Sequence, residues 1–203
     1  MNRLTVGTTN QAKVQLLAEH LAPFGITLEI APCQIDIPEH GTTAQENARL
    51  KATTYATALN APAIATDDAL YFEGFATADQ PGLNVRRIPG GPDRASDEEL
   101  IAYYASLFAR YGDRVTGWWE WAICIATPDG QFEEVTLTSP PRHFTSNPCE
   151  ARIPGFPLES FTIDPDSGGY RLEQEPAEDD VNAEWTHMAS AALCEMVGRM
   201  LAL

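Results

Sequence analysis

Arg3-Leu4-Thr5-Val6-Gly7-Thr8-Thr9-Asn10-Gln11-Ala12-Lys13 decides how this chain folds, because its period changes midway. Residues 3 to 7 read as a short strand. From Gln11 to about residue 23, Val14, Leu17 and Leu21 recur at the spacing of one helix face. Thr9 or Asn10 can cap the free amides of that helix. Lys13 then falls in the first helical turn, where the macrodipole disfavours a cation by roughly a few tenths of a kcal/mol. A charge in that place invites a partner. The free amides, the Thr8 and Thr9 hydroxyls and the Lys13 ammonium would make a phosphate cradle like those at other strand-to-helix turns. The alternative is a solvated lysine on an ordinary capped helix. The spacing is not Gly-x-x-x-x-Gly-Lys, so this is no Walker loop.

Outward from this turn, strands are expected at 27 to 31 and 62 to 66, with a strand or loop around Tyr71-Phe72. A second helix is expected over 43 to 60, and a third over about Ser96 to Tyr111, opened by the cap signal Ser96-Asp97-Glu98-Glu99. Strands at about 119 to 127 and 133 to 142 flank the turn Pro128-Asp129-Gly130. The proline- and glycine-rich stretch from 146 to 169 reads as irregular, and a last helix runs from about 182 to 201. Alternating strands and helices followed by a hairpin predict an α/β fold with a mixed central sheet and flanking helices. With 203 residues, 44% of them hydrophobic, and neither repeat nor long linker, one domain over 1–203 is expected.

Asp67 and Asp68 follow the apolar run Pro62-Ala63-Ile64-Ala65, where a buried strand would deliver two carboxylates side by side at its carboxyl end. Adjacent carboxylates repel, so the pair suggests a bound cation or a general base; a turn or helix cap is the plainer reading. On the second helix Ala48, Ala52, Tyr55, Ala56 and Leu59 form the apolar stripe, while Asn47 and Lys51 share a flanking face one turn apart. Ahead of it, Ile35-Asp36-Ile37-Pro38-Glu39 alternates apolar and acidic residues and presents Glu39 before the turn at His40-Gly41. Taken singly, Lys51 and Glu39 also read as surface charges.

A net charge of −16 repels a polyanion at long range and argues against DNA or RNA as a partner. It leaves room for a small phosphorylated ligand, because a few cations converging in one cleft outweigh a distant surface screened over about 8 Å. No stretch approaches the roughly 18 apolar residues of a membrane span. Met1 leads into strand-like sequence without the features of a signal peptide, so the cytoplasm is the expected location. Cys33, Cys124, Cys149 and Cys194 are widely spaced and read as reduced thiols, and the four histidines show no zinc-ligand spacing.

Five segments together resemble the Ham1-like inosine/xanthosine triphosphate pyrophosphatase family. They are VGTTNQAK (6 to 13), the IDIPE run ending at Glu39, QENARLKA (45 to 52), PAIATDDAL (62 to 70) and PGLNVRR (81 to 87). The resemblance implies two lobes around a nucleotide cleft, a homodimer, Mg²⁺ as cofactor and a nucleoside triphosphate as substrate. It implies that Thr8, Asn10 and Lys13 hold the triphosphate with Lys51, that Glu39 and Asp67 hold the metal, and that Arg86 matches a family arginine. Asp67 falls at the catalytic position of the family's Asp-Asp-Ser-Gly-Leu motif; a register shifted by one residue would give that place to Asp68.

The departures are as specific as the matches. Thr66 stands where the motif's first Asp is usual, and Asp68-Ala69 replace Ser-Gly. The family's Gly-Phe-Gly-Tyr-Asp-Pro loop, whose aromatic packs on the base, has become Gly155-Phe156-Pro157-Leu158-Glu159-Ser160. Of its Lys-x-x-x-Ser-His-Arg segment His187 survives, while Asn182 and Met188 occupy the lysine and arginine positions. The expectation is a Mg²⁺-dependent nucleoside triphosphate pyrophosphatase with relaxed base selectivity. A nucleotide-binding or interaction protein that kept the fold and lost turnover is the alternative, tied to Thr66, Asn182 and Met188.

Overall fold

The structure, a computed structural model, describes residues 3–8, 10–38, 40–92, 94–174 and 181–201. In chain order its elements are β1 (Arg3–Val6), α1 (Gln11–Leu21), β2 (Thr27–Ile30), α2 (Ala44–Leu59), β3 (Ala63–Phe72), α3 (Asp97–Tyr111), β4 (Arg114–Ala126), β5 (Phe132–Thr138), β6 (Arg142–Thr145), β7 (Thr162–Ile163) and α4 (Val181–Leu201). Short 3₁₀ turns join several of them. The chain forms two compact units: Met1–Asp68 with Glu120–Thr138 and Val181–Leu203, and Ala69–Trp119 with Ser139–Asp180.

In the first unit β1 is flanked by β2 and β3, both parallel to it, with Val6 opposite Ile30 and Ile64. Parallel strands need crossovers, and α1 and α2 supply them. The second part of β4 pairs antiparallel with β5 across the turn at 127 to 131, where the Gly130 amide donates to the Thr127 carbonyl at 3.0 Å. Leu4, Val6, Leu17, Leu21, Ile123, Ile125, Leu193 and Val197 meet in one apolar core, each removed from water. Burial on that scale stabilises by roughly 1.5–3 kcal/mol per large side chain, which fixes α1 and α4 to the sheet.

The second unit is antiparallel in its strands: β4 pairs with β6 and β6 with β7. Its core is aromatic, with Phe72 at ring-centroid distances of 4.8 Å from Phe75, 4.9 Å from Phe108 and 5.3 Å from Phe144. Helix α3 opens as the sequence predicts. Ser96 accepts the Glu99 amide while Glu99 accepts the Ser96 amide, so two orphan donors are satisfied reciprocally.

Parallel β1, β2 and β3 and antiparallel β4 to β7 make the mixed sheet with flanking helices that the alternation of elements predicts. Several boundaries differ from the sequence reading, β4 among them, which begins at Arg114 instead of about residue 119. The run ending at residue 66 and the Tyr71-Phe72 segment are one strand, β3, because Ala69, Leu70 and Phe72 are buried and Leu70 bridges to Gly82. The expected strand 133 to 142 breaks into β5 and β6 at Ser139-Pro140-Pro141, where two prolines remove ladder donors. The stretch 146 to 169 contains β7 and a 3₁₀ turn at Pro157–Phe161.

Candidate active site

Since β3 runs on to Phe72, Asp67 and Asp68 lie within a strand rather than at its end. Consecutive strand residues face opposite ways, so their carboxylates are not side by side. Each meets its own lysine. Lys51 Nζ is 2.8 Å from Asp67 Oδ1, and Lys13 Nζ is 2.5 Å from Asp68 Oδ2. The Asp67 side chain is also held through Oδ2, which accepts from Asn47 Nδ2 at 3.1 Å.

Local sequence explains why these groups converge. Thr43 caps α2 by accepting the Glu46 amide, which sets the phase that turns Asn47 and Lys51, one turn apart, toward Asp67. The Asn47 side chain accepts the Gly41 amide at 2.9 Å, and a Cβ on Gly41 would lie 2.5 Å from the same oxygen. Gly7 is required for a similar reason: a Cβ there would meet the Tyr55 ring at 2.5 Å. Tyr55 in turn accepts the Ile35 amide at its hydroxyl, so β1, α2 and the segment before Glu39 are packed together without slack.

At the first turn, the Asn10 carbonyl accepts from Val14, and the Asn10 amide donates to Thr8 Oγ1 at 3.2 Å. Asn10 is therefore the residue at which α1 begins, and Lys13 is in its first turn as the sequence predicts. Neither lysine is a solvated surface charge: the side chains of Lys13 and Lys51 retain 22% and 15% exposure.

Burial pushes the Asp67 carboxyl above its usual range, while the ammonium of Lys51, then Lys13, and the Asn47 amide pull it back only in part. A carboxylate of raised basicity, engaged by a cation that a phosphate could draw away, is suited to accept a proton. Thr66 is buried as well, and its hydroxyl finds no hydrogen-bond partner among the described residues. It stands where the resembled motif has a carboxylate.

Of the remaining expected site residues, some fall outside the described residues and the others have the following surroundings. Thr9 and Glu39 lie outside the described residues. Arg86 belongs to the second unit, where it pairs with Asp97 at 2.7 Å and donates to the carbonyls of Ala95 and Gly155. His187 is exposed on α4, next to the exposed Met188. Leu158, which the motif comparison puts in the base-reading loop, is a core residue of the second unit. Trp185 donates to the Thr138 carbonyl and packs on Trp121.

Among the described residues no three His, Cys, Asp or Glu side chains cluster to hold a metal. A hard cation such as Mg²⁺ does not require that. It is usually bound by one or two carboxylates together with substrate phosphates and waters, and the Asp67 carboxylate is a donor of that kind. The residue that sequence reasoning passed over is Asn47. Its shared face with Lys51 was legible, but its grip on Asp67 depends on a contact between residues 20 positions apart.

Residues 4–139, which carry every group in this arrangement from Thr8 to Asp68, match the model of the Ham1 family. The chain belongs to the Ham1 family. A dITP/XTP pyrophosphatase of Synechocystis sp. is 33% identical over 133 residues, a match covering 66% of this chain and 64% of that protein's length. One from Rhodopseudomonas palustris is 34% identical over 154 residues, covering 69% of this chain and 70% of the relative. The Ham1 protein of Staphylococcus aureus superposes with a TM-score of 0.69 at 19% identity, over 94% of this chain and 97% of the other. The Ham1 fold thus extends through the C-terminal region, beyond the residues that match the family model.

Proposed function

We propose that this Ham1 family protein is a nucleoside triphosphate pyrophosphatase that uses Mg²⁺ and cleaves the α–β anhydride to give a nucleoside monophosphate and pyrophosphate. The pair of Lys–Asp contacts on β3, Lys51 with Asp67 and Lys13 with Asp68, carries this reading. Both lysines, Lys13 in the first turn of α1 and Lys51 on α2, are held by carboxylates that a triphosphate can replace as partners. The names of the similar proteins, dITP/XTP pyrophosphatases, support the same reaction class.

The residues then divide the work. Lys13, with the free amides of the first turn of α1 and the Thr8 and Asn10 side chains, binds phosphate oxygens. Lys51 leaves Asp67 for the triphosphate, which strips the carboxylate of its nearest cation and raises its basicity further. Asp67 takes a proton from the attacking water as the new P–O bond forms and pyrophosphate departs. Asp67 and Glu39 are the residues that would hold the metal, which when bound would neutralise phosphate charge and polarise the phosphorus. A site that exchanges ion pairs in this way binds metal and triphosphate better together than apart.

A nucleotide panel with Mg²⁺ tests the reading, with monophosphate and pyrophosphate released in equal amounts as the expected result. Orthophosphate as the product would move the cleavage to the γ-phosphate. Binding without any product would favour the alternative of a nucleotide-binding protein on the same fold. Asn182 and Met188, where the family has lysine and arginine, remove polar partners of the kind that discriminate sharply, so base selectivity should be weak. The specificity constant for inosine triphosphate should exceed those of the usual deoxynucleotides by less than about a thousandfold.

A further inference from the structure

Asn47 is 3% exposed, inside α2, and belongs to a residue type that forms helices poorly because its amide competes for backbone partners. Such a residue in a buried helix position requires both ends of its amide to be engaged. They are. Oδ1 accepts the Gly41 amide at 2.9 Å and Nδ2 donates to Asp67 Oδ2 at 3.1 Å. The two partners fix the orientation, because a flipped amide would set nitrogen against an N–H and oxygen against a carboxylate. No larger residue fits at position 41 without displacing that oxygen, since a Cβ there would lie 2.5 Å from it.

We propose that Asn47 is a positioning residue that divides the two oxygens of Asp67 between separate roles, an assignment that rests on Asp67 acting in the proposed pyrophosphatase reaction. Oδ2 stays with Asn47 throughout. Oδ1 is held by Lys51 in the resting protein and is the oxygen set free when Lys51 turns to phosphate. The carboxylate therefore presents one oxygen in a fixed direction instead of rotating between two. Through Gly41 the same amide ties that direction to the turn that follows Glu39. Neighbours that orient a ligating carboxylate typically contribute about 10–100-fold to metal affinity or turnover.

Two variants separate positioning from bracing. Asn47→Asp keeps the acceptor for the Gly41 amide and replaces only the donor facing Asp67; Asn47→Ala removes both. Asn47→Asp should lose at least about tenfold in kcat with KM within a few-fold of the parent. Asn47→Ala, without nucleotide, should bind Mn²⁺ about tenfold more weakly by electron paramagnetic resonance titration. Should Asn47→Ala fail to fold, Asn47→Leu, closer in volume, carries the same comparison. Asn47→Asp turning over at the parent rate would reduce Asn47 to a brace for the Gly41 turn and overturn the proposal, as would parent-like Mn²⁺ affinity in the folded Ala or Leu variant. A parent protein inactive on every nucleotide would sink the reaction, while the Mn²⁺ titration would still decide the role of Asn47.

Discussion

Asp67 and Asp68 are consecutive in β3, yet each ends on a different lysine, Lys51 at 2.8 Å and Lys13 at 2.5 Å. The two carboxylates are thereby made unequal. Asp67 is the more buried, 11% exposed in its side chain against 25% for Asp68, and it is also fixed by a second donor, Asn47. Asp67→Asn is expected to cost at least about a hundredfold in turnover, the scale of general-base loss. Asp68→Asn should cost less. Steady-state rates of the two variants decide the matter, and a parent-like Asp67→Asn would pass the catalytic role to Asp68.

Charge lost from either lysine should be felt by the β and γ phosphates. Lys13→Ala and Lys51→Ala are both expected to weaken triphosphate binding far more than monophosphate binding in calorimetric titrations. Equal weakening of both ligands would mean that neither lysine faces the outer phosphates.

Stability should separate the same two variants. Lys51→Ala leaves the Asp67 carboxylate buried without its cation and should cost about 2–3 kcal/mol at pH 7, whereas Lys13→Ala, which also relieves a helix-dipole conflict, should change stability by less than about 1 kcal/mol. Burial already raises Asp67 in the parent, and loss of Lys51 raises it further. A carboxyl raised in the folded state favours folding below its unfolded pKa and loses that contribution as pH rises through the folded value. Denaturation midpoints of Lys51→Ala should therefore approach those of the parent in acid and fall away toward neutrality.

His20 gives the opposite sign. It is 2% exposed, packed 5.2 Å from the Trp121 ring, with Nδ1 2.7 Å from Ser190 Oγ, and burial lowers its pKa below 6.5 despite the nearby Glu19. A depressed folded pKa means that the unfolded chain binds the extra proton more readily, so this contribution is present above pH 6.5 and is lost as pH falls through the folded value. Urea unfolding at pH 8 and pH 5.5 should show the parent losing more stability than His20→Gln. Parallel losses would show that His20 charges as easily folded as unfolded.

Thiol reactivity offers a check on the fold that is independent of catalysis. Cys33 is exposed, Cys149 is buried, and burial pushes the Cys124 thiol up to about 12, where little nucleophilic thiolate exists at neutral pH. Cys33 should react rapidly with a disulfide reagent in the native protein. Cys124 and Cys149 should react only on unfolding, as mass spectrometry of labelled peptides would show.

The sequence alone determined the parts of this protein that depend on near neighbours along the chain. The period change at residues 3 to 13 specifies a strand feeding a helix, the signal at Ser96 specifies a cap, and the five motifs specify the family, because each is written within a few residues. Lys13, Lys51 and Asp67 were legible as candidate residues for the same reason. Which carboxylate meets which lysine was not legible. It depends on β3 continuing through Ala69 and Leu70, whose burial comes from packing with distant segments, and a strand that stopped at residue 66 would have left the two aspartates side by side. Asn47 follows the same logic: as a letter it is a weak helix former, and only the approach of α2 to β3 brings its amide to Asp67. Arg86, matched by resemblance to a family arginine, is engaged in the fold by Asp97 and two carbonyls, contacts that no local stretch of sequence announces. Side-chain pairing over such separations is set by the summed burial of the core, and no local stretch of sequence contains that sum.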